Sequence, residues 1–257
     1  MAMGFLLVTT TFSYGQHSKC ADLLNSYRTF FFRKPVFKGN TEAFLRENKM
    51  GGHSMCKIME LVNLCKRATV YIQTHNFPDP DAIASAYGLQ KLLARMGISS
   101  WLCYAGCIDK LSAMKMIEAF GIEMYSYDQL CGKMKETDYI VCVDSQKNGG
   151  NITDFIGNEV ACIDHHSVFA DTHYQYSDIR TTGACATIIA EYYEQLGLEP
   201  DSNTATALLY GIKMDTLQFT RGVTQQDIKM FAFLHPFCDQ EKLSRMEHNS
   251  MEFADLK

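Results

Sequence analysis

Three short apolar runs in this chain each stop at a carboxylate or an imidazole, and that arrangement narrows the available folds more than any other feature. The runs are "VYIQTHNFPDPD" (70–81), "YIVCVD" (139–144) and "VACIDHH" (160–166). Each is rich in β-branched residues and reads as a buried strand. Helical patterns lie between them. Ile58, Leu61, Val62, Leu64 and Cys65 form an apolar stripe ahead of the first run. Ile83, Ala86, Tyr87, Leu89, Leu93 and Met96 form another that stops at Gly97, as an amphipathic helix with a C-terminal glycine should. "SSWLCYAG" reads as a further strand, and "KLSAMKMIEAF", "DQLCGKMKET", "GACATIIAEYYEQLG", "SNTATALLYGIKMD" and "TQQDIKMFAFL" read as helices. Strands alternating with helices predict an α/β fold with a doubly wound, mainly parallel sheet and helices on both faces.

In open parallel sheets the ligand crevice lies beyond the carboxyl ends of the strands. His75, Asp79, Asp81, Asp144, Asp164, His165 and His166 are therefore expected to converge. Carboxylates crowded together repel, and each must take up a proton or find a cation. Imidazole in the set suits a transition metal, and the high share of carboxylate favours Mn²⁺ over Zn²⁺. Two ions fit the number of ligands better than one, and such a pair suits displacement at phosphorus. Pro78 and Pro80 stiffen the loop that carries Asp79 and Asp81, and the helix starting there offers N–H groups to an anion.

Composition sets limits on partners and compartment. With 257 residues, 47% of them hydrophobic, the chain buries a substantial core, and a net charge of −5 argues against a broad basic surface for duplex DNA. A short nucleic acid or nucleotide remains compatible. The ten cysteines contain no CxxC pair and read as buried thiols of a reducing cytoplasm. No run approaches the roughly 18 apolar residues of a membrane span. Residues 1–55 read as an N-terminal extension to which no chemistry is assigned, 56–240 as the catalytic domain and 241–257 as a tail or the start of a linker.

In order, "HNFPDPDAIAS", "VCVDSQ", "CIDHH" and "LLYGIKMDTLQFT" resemble the four motifs of the DHH phosphoesterase family, whose name is the triplet Asp164-His165-His166. The resemblance covers about 57–235. It implies two divalent ions, with His75 and Asp79 as ligands of the first, Asp81, His165 and Asp215 of the second, and Asp144 bridging them. It also implies that His166 contacts the phosphate and that Asp164 orients a neighbouring imidazole. Thr182, Gly183 and Ala184 resemble a helix start that presents N–H groups to the phosphate. Arg221 reads either as a phosphate contact or as a surface residue before a helix capped by Thr224.

The activity implied is hydrolysis of phosphoester bonds in short oligoribonucleotides, linear dinucleotides or 3′-phosphoadenosine 5′-phosphate. The alternatives are a manganese-dependent inorganic pyrophosphatase and a non-catalytic nucleotide-binding module. The pyrophosphatase branch usually continues the second motif with His-Asn, whereas Ser145-Gln146 stands here. The family's C-terminal substrate domain is expected to be absent, which would expose an apolar face and favour a homodimer.

Overall fold

The computed structural model describes residues 57–168 and 172–249, so the expected extension over 1–55 lies outside the described residues. Helix α1, Ile58–Cys65, leads into strand β1, Val70–Gln73. Then come α2 (Pro80–Arg95), β2 (Ser100–Tyr104), α3 (Leu111–Phe120), β3 (Met124–Ser126), the short α4 (Tyr127–Leu130) and β4 (Tyr139–Val143). The chain continues through β5 (Asn158–Asp164), β6 (Tyr176–Ile179), α5 (Cys185–Gln195), α6 (Ser202–Asp215) and α7 (Gln225–Leu234). A 3₁₀ turn, His235–Phe237, precedes α8, Gln240–Asn249. No helix among the described residues is long and apolar enough to cross a membrane.

The strands form one parallel six-stranded sheet in the order β3-β2-β1-β4-β5-β6. The order reverses between β1 and β4, and at that switch point the loops leaving the two strands part and leave a crevice. All the parallel connections cross over through helix or long loop, as parallel pairing requires.

The two faces are covered unequally. Val70, Ile72, Leu102, Val141, Val143, Ala161 and Ile163 point into the main core beneath α1, α2, α3, α5 and α6. Tyr71, Cys103, Ile140, Cys142 and Cys162 point the other way, into a smaller core closed by Leu130, Met134 and Phe155. Among the described residues the only helix on that side is α4. Register places Cys103, Gln73, Cys142 and Cys162 side by side on adjacent strands, a polarisable row across the middle of the sheet.

Several local expectations change. The helix expected over "DQLCGKMKET" ends at Leu130, and Gly132, at φ 76°, turns the chain where a helix would continue. Strands β3 and β6 were not apparent as patterns: β3 is three half-buried residues, and β6 alternates buried Tyr176 and Asp178 with Ser177. Residues 241–249 of the stretch expected to be a tail or linker start lie in α8, which buries Leu243 and Met246 against the main core. Of the cysteines, Cys65, Cys103, Cys142, Cys162 and Cys185 are buried as expected, but Cys107 and Cys131 are exposed because they lie in the turns after β2 and α4.

Candidate metal centre

His75 leaves β1 with its ring fixed by the next residue. Nδ1 lies 2.8 Å from the Asn76 carbonyl oxygen, which only accepts, so Nδ1 carries the hydrogen and Nε2 faces the crevice. Nε2 is 3.8 Å from Asp79 Oδ1 and 3.6 Å from Asp144 Oδ2. Asp79 is also the N-cap of α2: its Oδ1 accepts the N–H groups of Asp81 and Ala82, both at 3.1 Å, and Pro80 fills the first helical position. Those amides, expected to await an anion, are thus satisfied within the chain. Burial opposes charge on the His75 ring, yet Asp79 and Asp144 outweigh it and push its pKa up to about 9.

Asp144 follows β4 directly, at φ 55°, a left-handed conformation that turns its side chain toward both neighbouring loops. Its two oxygens face different groups. Oδ2 faces His75, while Oδ1 is 3.2 Å from His165 Nε2. Oδ1 is buried and has no hydrogen-bond partner. Burial raises the Asp144 carboxyl to about 6 even though His165 beside it favours the charged form.

His165 is oriented as His75 is. Its Nδ1 donates to the Thr182 carbonyl at 3.1 Å, and its Nε2 also lies 3.4 Å from Asp215 Oδ2 and 4.0 Å from Asp81 Oδ2. Burial again opposes the imidazolium, but Asp144 and Asp81 push its pKa up to about 10. Asp81 is fully enclosed, and burial with the charge of Asp144 raises its carboxyl well above the usual range. Both its oxygens accept N–H groups at the start of α5, from Cys185 at 2.7 Å and Ala186 at 2.9 Å. A carboxylate oxygen has more than one lone pair, so capping α5 leaves Asp81 able to meet a cation. Asp215, the last residue of α6, is brought here because Gly211, one turn earlier, lets α6 touch α2; a Cβ there would lie 2.6 Å from Ala84 Cβ and 3.3 Å from Asp81 Cα.

Ligand atoms therefore gather in three overlapping sets, each with its atoms within 4.8 Å of one another: His75–Asp79–Asp144, Asp81–His165–Asp215 and Asp144–Asp164–His165–His166. The fit to divalent cations rests on three features: two ring nitrogens aimed by carbonyls, four crowded carboxylates, and a buried Asp144 oxygen without a donor. Imidazole with carboxylate suits Mn²⁺ and similar ions.

His166 stands at the edge, half exposed, with Nδ1 2.9 Å from Asp164 Oδ1. Asp164 also accepts the N–H groups of His165 and His166 and, on Oδ2, Gln146 Nε2 at 2.7 Å. It touches the histidine pair rather than the carboxylates. Gln146, read from sequence only as a departure in the second motif, is the residue that holds Asp164 from behind; only the spacing Asp144–Gln146 hinted at it.

One substrate expectation needs revision. The Gly183 N–H donates to both oxygens of Asp227, at 3.1 and 2.9 Å, and is buried, so it is not available to a phosphate. Asp227 was missed because Gly183 and Thr187 are distant from it in sequence: it accepts from Thr187 Oγ1 at 2.5 Å as well as from the nearby Thr224 amide and hydroxyl at 2.6 and 2.7 Å. Arg221 Nη2 donates to the Asp215 carbonyl at 3.0 Å while the rest of its side chain is exposed, and Thr224 caps α7 as expected. Asp227→Ala strands several buried donors and is expected to lower unfolding free energy by about 3 kcal/mol, read by urea denaturation.

The match to a known family covers most of the centre and stops just short of Asp215. Residues 69–212 match the model of the DHH family, N-terminal domain. An uncharacterized protein of Methanocaldococcus jannaschii is 33% identical over 77% of this chain and 41% of its own length. A probable manganese-dependent inorganic pyrophosphatase of Shouchella clausii is 30% identical over 56% of this chain and 47% of its own. The chain thus spans less than half the length of these relatives. Among solved structures, an exopolyphosphatase-related protein from Bacteroides fragilis shares the fold, with TM-score 0.64 and 18% identity over 80% of this chain and 64% of that one.

Proposed function

The chain belongs to the DHH family, and from that premise we propose that it is a metal-dependent hydrolase of phosphoester bonds in short oligonucleotides, linear dinucleotides or phosphorylated nucleotides. The observation that carries this reading is Asp144, which turns one oxygen to His75 and the other to His165. His75, Asp79 and Asp144 would hold one ion, Asp81, His165 and Asp215 the second, with Asp144 between them. Bound divalent ions supply Lewis acidity, acidifying water and neutralising phosphoryl charge.

The chain's own groups do the rest. The Asn76 and Thr182 carbonyls keep each Nε2 turned inward, and Asp164 anchors His166 by Nδ1. Asp164 also favours the imidazolium of His166, and in that form Nε2–H is the donor that can meet a phosphoryl or leaving oxygen. Arg221, tethered to Asp215, adds a cation at the rim.

The test is release of product, with Mn²⁺ and with chelator, from a linear diadenylate, 3′-phosphoadenosine 5′-phosphate, pyrophosphate and a single-stranded 5-mer. Turnover of an organic ester that chelator abolishes is expected. A second reading, pyrophosphate hydrolysis, draws on the S. clausii relative, a probable manganese-dependent inorganic pyrophosphatase; turnover of pyrophosphate alone would establish it. Should nothing be cleaved while nucleotide still binds, the chain is a binding module. Mn²⁺ should also raise the melting temperature, by the equivalent of about 2.7 kcal/mol at a hundredfold excess over Kd, and chelator should reverse it.

A further inference from the structure

The exposed large apolar side chains among the described residues are Phe77, Met114, Ile156, Val168, Leu217 and Ile228. Three of them stand two residues from the centre, on three different loops: Phe77 after His75, Val168 after His166 and Leu217 after Asp215. Single exposed apolar residues are ordinary. Two of these three are also held in a backbone conformation that bulky residues avoid, Phe77 at φ 56° and Leu217 at φ 46°. Strain of this kind persists where surrounding structure imposes it.

The Phe77 loop shows what imposes it. The Phe77 amide donates to the Ala105 carbonyl at 3.2 Å, the Asn76 amide to the Asn151 carbonyl at 2.7 Å, and Asn76 Oδ1 accepts from the Thr153 amide at 3.1 Å. The ring rests against Gly106, where a Cβ would lie 2.9 to 3.0 Å from three ring carbons. An aromatic ring is therefore braced from behind by a glycine and left 52% exposed in front. Two residues of chain span at most about 7 Å, within the reach of the ribose that separates a 5′-phosphate from its base.

We propose that Phe77, with Leu217 beside Asp215, is a shelf that receives the planar base of a nucleotide whose phosphate lies at the metal centre, and so sets a preference for nucleotide esters over inorganic phosphates. The inference rests on the phosphoesterase reading for the position of the phosphate and adds the recognition of what the phosphate is attached to. Bases of any sequence stack on an aromatic face, so the preference is for a nucleotide and not for one base.

Calorimetric titration of the Mn²⁺-loaded full chain with adenosine 5′-monophosphate and, separately, with inorganic phosphate tests it. Phe77→Gly suits the left-handed backbone, so its melting temperature should equal or exceed that of the unmodified chain. Its affinity for the nucleotide is expected to fall about tenfold, as loss of a stacking partner does, and its affinity for phosphate to stay within about twofold. Leu217→Gly should weaken nucleotide binding less. Unchanged nucleotide affinity in Phe77→Gly, an equal loss for both ligands, or an unmodified chain that binds the nucleotide no better than phosphate would each overturn the shelf. Turnover is measured apart from binding: Phe77-dependent nucleotide binding without hydrolysis of any substrate overturns the hydrolase and leaves the shelf standing.

Discussion

Asp144→Asn is expected to lower hydrolysis at least a thousandfold, about 4 kcal/mol in the barrier. The substitution removes one charge from Asp144, the only carboxylate among the described residues that faces both His75 and His165. Asparagine is chosen because it tolerates a left-handed backbone, and Asp144 sits at φ 55°. The variant should therefore fold. Burial already pushes the Asp144 carboxyl up to about 6, a sign that its charge is poorly accommodated without cations. The metal-free variant is accordingly expected to melt at the same temperature or higher, while the rise in melting temperature produced by Mn²⁺ shrinks. Near-normal turnover in a well-folded Asp144→Asn protein would end the paired-ion reading.

Gly211→Val should unfold more easily by about 3 kcal/mol and weaken Mn²⁺ binding. Glycine inside a helix is ordinarily a weakness of about 1 kcal/mol relative to alanine. At this position packing outweighs propensity: a Cβ on α6 would sit 2.6 Å from Ala84 Cβ on α2, the helix against which α6 packs most extensively. The same crossing sets where Asp215 meets Asp81, so pushing the helices apart also opens the second ligand set. Urea denaturation gives the first effect and metal titration the second. Gly211→Ala should show both losses in smaller measure, and adding Ala84→Gly to it restores the space and should recover most of them, a coupling expected only if the two residues touch. A Gly211→Val protein as stable as the parent would show that the crossing yields without loss.

Much of this was legible in the amino-acid text. Continuous apolar runs and period-3.6 patterns are local, so β1, β4, β5, α2 and α6 could be placed from them. The crevice followed from the rule for parallel sheets, and His75, Asp79, Asp81, Asp144, His165 and Asp215 do come together. What escaped is what local patterns do not encode. Asp227 reaches back to Gly183 across 44 residues, and Asp81 caps a helix that begins 104 residues later. A carboxylate that caps a distant helix looks, in sequence, like any other acid. Gly183 was misjudged for the same reason: its N–H is satisfied by a residue that no spacing rule connects to it. Strands β3 and β6 escaped because edge strands bury too little to show a clean pattern.

The line of thiols through the sheet has its own consequence. Cys103, Cys142 and Cys162 sit on neighbouring positions of β2, β4 and β5, separated only by Gln73, and burial pushes all three thiols far above their ordinary range. In the intact sheet hardly any thiolate exists to react with an alkylating reagent. Among the described cysteines, Cys107 and Cys131, exposed in turns, modify first. Slower labelling of Cys103, Cys142 and Cys162 then counts the moments at which the central strands part, so the protein carries a chemical stopwatch for its own opening.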